Sequence, residues 1–169
     1  MAISESLLPE FDHEAENTRK ILERVPDQKF DYKPHPKSGA MGWLAAHLAE
    51  IHNWGATLLK TDSFDVAPQN GPTYQPAKIT SQAELLSAFD KYSGELRRAI
   101  ADTSDAKWVA PWTLLRAGAP MFTMPTIAVM RGSVFNHIIH HRAQLGLYLR
   151  LNDVPVPGLY GPSADEPRT

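Results

Sequence analysis

The 169-residue chain carries 17 Lys plus Arg against 19 Asp plus Glu, a formal net charge of −2, and 43% hydrophobic residues. That balance suits a globular protein with a substantial core and excludes the basic footprint of a nucleic-acid or anionic-membrane binder. There is no cysteine, so disulfides, Cys-ligated zinc and a cysteine nucleophile are excluded, and any metal must be held by His, Asp or Glu.

The N-terminus, MAISESLLPEFDHEAEN, is acidic and lacks the basic flank and apolar run of a signal peptide. No stretch approaches the roughly 18 apolar residues of a membrane span, which predicts a cytoplasmic protein. A first helix is predicted from about Ser6 to Val25, with Leu7, Phe11, Leu22 and Val25 on one side and Pro26 ending it. After a short Pro-rich connection, a second covers about Ser38 to Lys60, where Leu44, Leu48, Ile51 and Leu58 repeat at threes and fours. The segment Asp62 to Ile79, DSFDVAPQNGPTYQPAKI, reads as one long irregular connection because of its prolines and glycine. Ser81-Gln-Ala-Glu84 has the spacing of a capping box and opens a third helix through Leu85, Phe89, Leu96 and Ile100 to about Asp102. In WTLLRAGAPMFT, between Trp108 and Thr123, turn residues separate two apolar pieces, the composition of a short β-hairpin. The fourth helix starts near Pro125 and runs to about Asn152, followed by a tail extended by its prolines, DVPVPGLYGPSADEPRT. The expectation is an all-α, four-helix bundle in one domain, 1–169, with one long connection and a short β-hairpin before the last helix. Bundles of this kind build metal sites between facing helices.

Seven histidines are present, and their placement matters more than their number. On a helix His137 and His141 lie about 40° apart around the axis. Met130, Val134, Leu145 and Tyr148 fall within about 80° on the same side of that helix. The pair therefore belongs to the core-facing stripe. His47 shares its side of the second helix with Leu44, Ile51 and Leu58, so three imidazoles can converge across the bundle. Core histidines satisfied by hydrogen bonds would produce the same pattern on either helix alone; the third inward histidine, on a different helix, favours a metal. Three imidazoles leave an open position for water or substrate, as in catalytic zinc sites. The set suits zinc, nickel or iron rather than magnesium or calcium, which prefer oxygen ligands.

The remaining polar candidates divide less cleanly. His52 lies about 140° from His47 around the helix and cannot join it at one ion. His140 could flank the site or lie in a polar interface. His13 is expected in solvent, and His35, between two prolines, in a loop at the surface or the rim. Glu50, one turn past His47, is a candidate base or hydrogen-bond acceptor for a ligand histidine, with solvent exposure the simpler expectation. Trp43 and Trp54 flank His47 as packing residues or as a substrate platform. Arg142 and Gln144, beside His141, fit either an anionic ligand or a tie between helix and tail.

NHIIHHRAQLGLYLRLNDVPVPGLYGPSADE resembles the closing region of the DinB/YfiT-like family of bacterial metalloenzymes, whose pattern is Asn-His-x-x-His-His-Arg-Gly-Gln-Leu followed by a Val-Pro-rich tail. YKPHPKSGAMGWLAAHLAEI resembles the family's earlier block around its first metal-binding histidine. Ala143 departs from the pattern, standing where the family usually has glycine. The resemblance implies a four-helix bundle, often dimeric, with a divalent metal on three histidines, which by position are His47, His137 and His141. It also implies a choice of chemistries, since some relatives are transferases using low-molecular-weight thiols and others are described as hydrolases.

Three functions follow as expectations. The first is a metal-dependent enzyme, with zinc or nickel, that transfers a low-molecular-weight thiol co-substrate to a small electrophile. The second is metal-dependent hydrolysis, for which Glu50 and His140 are the candidate catalytic bases. The third is a non-catalytic module that binds metal or a small ligand in a stress response. The expected partners are a small-molecule substrate and a second copy of the chain, with neither nucleic acid nor membrane.

Overall fold

The computed structural model describes residues 2–72, 74–75 and 77–166. Residues 73 and 76 of the long connection and 167–169 of the tail lie outside that description. Four long helical stretches form the frame: α1 (Ile3–Leu22), α2 (Met41–Lys60), α3 (Gln82–Asp102) and a last stretch built from α5 (Thr126–Val129), a π-helical turn (Met130–Phe135) and α6 (Asn136–Arg150). A short helix α4 (Asp105–Val109) and three strands, β1 (Ser63–Asp65), β2 (Pro111–Arg116) and β3 (Ala119–Pro125), complete it. No helix among the described residues is long and apolar enough to cross a membrane.

The helices form where their apolar residues repeat at threes and fours. Leu7 and Phe11 of α1, Leu44, Leu48, Ile51 and Leu58 of α2, and Leu85, Phe89, Leu96 and Ile100 of α3 are buried in one core. Burying each such side chain contributes roughly 1.5–3 kcal/mol. Ser81 caps α3 as its spacing predicts, its hydroxyl accepting from the Glu84 amide at 3.2 Å, while the Glu84 carboxylate accepts from the Thr80 amide at 2.8 Å. Gly55 lets α2 approach its neighbours closely. A Cβ there would lie 2.9 Å from Leu96 Cδ2 and 3.1 Å from Val134 Cγ1, so only glycine fits without movement.

Some boundaries move. The first helix begins at Ile3 and ends at Leu22, leaving Val25 buried in the following turn; Pro9 is accommodated inside it. The second begins at Met41 rather than Ser38. Helix α4, not anticipated, is capped by Ser104, whose hydroxyl accepts from the Lys107 amide; it buries Trp108, whose indole N–H donates to Ser4.

The expectation of an all-α protein is corrected by a three-stranded sheet in the order β1-β2-β3. The hairpin is present. β2 and β3 pair antiparallel through Arg116↔Ala119, and Ala117 and Gly118 both take positive φ, 52° and 77°, as a two-residue primed turn requires. β1 comes from the connection read as irregular and pairs parallel with β2. Its three residues carry too little pattern to be seen alone. Asp65 fixes the junction, its carboxylate accepting from the backbone amides of Ala67, Ala117 and Gly118 at 2.7–3.1 Å. The sheet thereby holds the hairpin over one side of α2.

Candidate metal centre

The π-helical turn decides which side of the last helix faces the core. One π turn absorbs about one extra residue and rotates everything after it relative to a uniform α-helix. The buried positions of α6 are Ile138, Arg142, Leu145 and Leu149. His137 and His141 are therefore half-buried at the edge of the stripe instead of inside it, and Tyr148 is half-buried too. His47 on α2 is also half-buried.

At that edge the three imidazoles meet. Their ring centroids are 5.1 Å (His47 to His137), 4.8 Å (His47 to His141) and 4.6 Å (His137 to His141) apart. His137 Nε2 lies 3.4 Å from His47 Nε2 and 2.8 Å from His141 Nε2, and the potential ligand atoms of all three residues lie within 4.8 Å of one another. Imidazole nitrogens about 2.0–2.1 Å from one zinc ion stand about 2.8–3.4 Å apart for bond angles between about 90° and 109°, so the two measured spacings sit at the ends of the range for a single metal.

The outer ring nitrogens fix the tautomers. His137 Nδ1 faces the Ser133 carbonyl at 3.3 Å, and His141 Nδ1 faces the Gln144 side-chain oxygen at 2.7 Å. Both partners accept, so each Nδ1 carries the proton and each Nε2 presents a lone pair inward. Two such nitrogens 2.8 Å apart repel unless a metal ion or a proton lies between them. Burial, and then the neighbouring His141 and His137, push the His47 pKa down to about 4; burial, and then His141, lowers that of His137. Both rings are neutral near pH 7, as metal ligands must be. The donor set thus fits a divalent ion of intermediate softness such as zinc or nickel.

A cavity of about 730 Å³ opens beside the cluster, and His47 and His137 form part of its wall. α2 contributes Trp43, Glu50, Ile51 and Trp54 as well, the hairpin contributes Leu114 and Phe122, and His140 stands at its edge. Trp43 is 55% exposed and stacks on His47, with centroids 5.2 Å apart and planes at 10°.

The other candidates are placed as follows. Glu50 is not solvated: it is 6% exposed, accepts from Asn53 Nδ2 at 3.0 Å and faces the cavity. That burial depends on the elements packed around α2, which a helical pattern alone cannot reveal. His140 is exposed and sets its ring edge-on to His141. His52 is fully buried away from the cluster, between Phe11 and Phe89, with Nδ1 on the Leu48 carbonyl and Nε2 without a partner among the described residues. His35 is exposed in its loop, and exposed His13 bonds to Asn17. Gln144 orients His141. Arg142 is 1% exposed and binds the Glu14 carboxylate, the Glu14 carbonyl, Thr18 Oγ1 and the Tyr160 hydroxyl, which ties α6 to α1 and to the tail.

The family model of the DinB superfamily matches residues 10–145 of the chain. Two solved structures share the fold. A DinB-like protein from Bacillus cereus, 22% identical, gives a TM-score of 0.69 over 94% of this chain and 98% of its own. A DinB-like protein from Bacillus subtilis, 15% identical, gives 0.68 over 96% and 99%. No curated protein gives a significant match.

Proposed function

The chain belongs to the DinB superfamily, and from that premise we propose that it is a metal-dependent enzyme that transfers a low-molecular-weight thiol to an electrophile. The framework of this reading is one four-helix-bundle domain over 1–169, acting as a homodimer in the cytoplasm. His47, His137 and His141 hold one divalent ion, zinc or nickel. The observation that carries the reading is the convergence of the three imidazoles, with the Nε2 atoms of His137 and His141 2.8 Å apart, beside a cavity of about 730 Å³. Held in this way, a divalent ion supplies a Lewis acid that lowers the pKa of a thiol or water brought to its open side.

The protein's own groups have separate tasks. Gln144 and the Ser133 carbonyl hold the two α6 imidazoles in the tautomer that points Nε2 inward. Trp43 covers the face of His47 and restricts water on that side. Glu50, buried and one turn from His47, accepts the proton that the nucleophile gives up. The thiol sulfur forms the new bond to carbon, the leaving group departs with the bonding pair, and the proton returns from Glu50 to solvent or to the leaving group.

The buried Glu50 also supports a second reading, metal-dependent hydrolysis, in which the group losing a proton to Glu50 is water. Assaying the zinc- and nickel-loaded protein with thiol–electrophile pairs, and separately with esters and amides, separates the two. Thiol-dependent loss of electrophile supports the first. Turnover of an ester or amide without thiol selects the second.

A further inference from the structure

Apart from the histidines and the short polar side chains of Ser133 and Asn136 on the last helical stretch, the cavity wall is mostly aromatic and aliphatic. Trp43 and Trp54 stand along α2 on either side of Glu50, and Leu114 and Phe122, cross-strand partners in the hairpin, face them. Among the described residues that line it, Glu50 is the single carboxylate, and no lysine or arginine contributes. In the metal-free protein an anionic ligand entering would lose its hydration, find no lysine or arginine and meet a carboxylate that is 6% exposed. An uncharged aromatic ligand loses little hydration and gains aromatic contact on both sides. The volume, about 730 Å³, lies within the range of small-molecule sites.

We propose that this cavity binds an uncharged aromatic molecule of two or three rings as the substrate, with the Leu114–Phe122 pair as its roof and Glu50 as the group that rejects anions. Calling the ligand a substrate rests on the proposed reaction at the histidines; its chemical class rests on the cavity alone. The hairpin is a specificity element in this reading, because it supplies the roof without supplying any group to the histidine cluster.

The test uses two probes that differ by one charge, N-phenyl-1-naphthylamine and its 8-sulfonate, each titrated by fluorescence into metal-free protein. The uncharged probe is expected to bind at least about tenfold more tightly, on the scale set by placing a charge beside a buried like charge. Equal binding, or tighter binding of the sulfonate, overturns the proposal. Glu50→Gln should raise affinity for the sulfonate and narrow the gap; an unchanged gap overturns the role of Glu50. Gly132 lines the cavity, and a Cβ there meets nothing within 4 Å, so Gly132→Leu puts its side chain into open space. It should weaken the uncharged probe about tenfold or more, and Phe122→Ser, at the hairpin surface, should weaken it independently. If neither variant changes binding, the probe sits elsewhere and the proposal fails. A chain that sediments as a dimer and shows no probe signal has the cavity closed by a second copy, which also overturns it. Metal content is measured separately on the same preparations, so failure of the metal reading is told apart from failure of this one.

Discussion

His141 and Arg142 are adjacent in α6 and sit in opposite settings. His141 is half-buried, and its inner nitrogen lies 2.8 Å from His137 Nε2. Arg142 is 1% exposed, and its guanidinium donates to two oxygens of Glu14, to Thr18 and to Tyr160. The second side of the helix is electrostatically complete and holds three parts of the chain together: α1, α6 and the tail. The first is the side that the proposed function assigns to a metal. The contrast separates a group that stabilises the fold from a group that the proposed function assigns to a metal, although both are polar and both lie inside a helix packed on the core.

The largest effect should come from breaking the complete side. Arg142→Ala leaves the Glu14 carboxylate buried without its cation and is expected to cost about 3–5 kcal/mol of unfolding free energy, measured by denaturant titration. Replacing both partners, Arg142→Met with Glu14→Leu, should recover most of that loss. If the double variant is no better than the single one, the ion pair is not what the arginine contributes.

His52 sharpens the comparison, because it is buried like Arg142 yet has an inner nitrogen without a partner. Burial pushes its pKa down to about 4, with the Arg142 charge adding to the shift and the Leu48 carbonyl opposing it. A folded-state value below the ordinary 6.5 means that its contribution is fully present above pH 6.5 and is lost as pH falls toward 4. The loss amounts to roughly 3 kcal/mol by the bottom of that window. His52→Leu should flatten the dependence of melting temperature on pH between 6.5 and 4. An unchanged slope would contradict the assignment.

On the histidine side, Gln144→Ala removes the acceptor that orients His141 and should lower metal affinity about 10–100-fold without removing a ligand. Competition with a chelator of known affinity reads that change. The smallest effect should be that of Tyr160→Phe, which deletes the two hydrogen bonds of an exposed hydroxyl at the rim of the Arg142 cluster, one accepted from Arg142 and one donated to the Glu14 carboxylate. It is expected to cost about 1 kcal/mol, or roughly 2–4 °C in melting temperature at this chain length.

Much of this was legible in the chain. The apolar repeats of α2 and α3, the Ser81 cap and the hairpin are local patterns, and local patterns survive folding. The three histidines were legible as well, since a pair four residues apart and a third on another helix can be found by counting. Their burial was less so. The π-helical turn at Met130–Phe135 rotates α6 by an amount that no propensity records, which puts Arg142 in the core and the histidines at its edge. Strand β1 exists only because the hairpin lies beside it. Glu50 is buried on a helix edge that the pattern alone would leave in water, beside a cavity that residues far along the sequence, Leu114 and Phe122, also line.

The central claim is that His47, His137 and His141 act together as one metal-binding set and His52 does not. Elemental analysis of purified protein after zinc loading and removal of free ion tests it most directly. One equivalent per chain is expected for the wild type and for His52→Leu, with His141→Ala losing most of its metal. Equal metal in His141→Ala and His52→Leu would contradict the assignment.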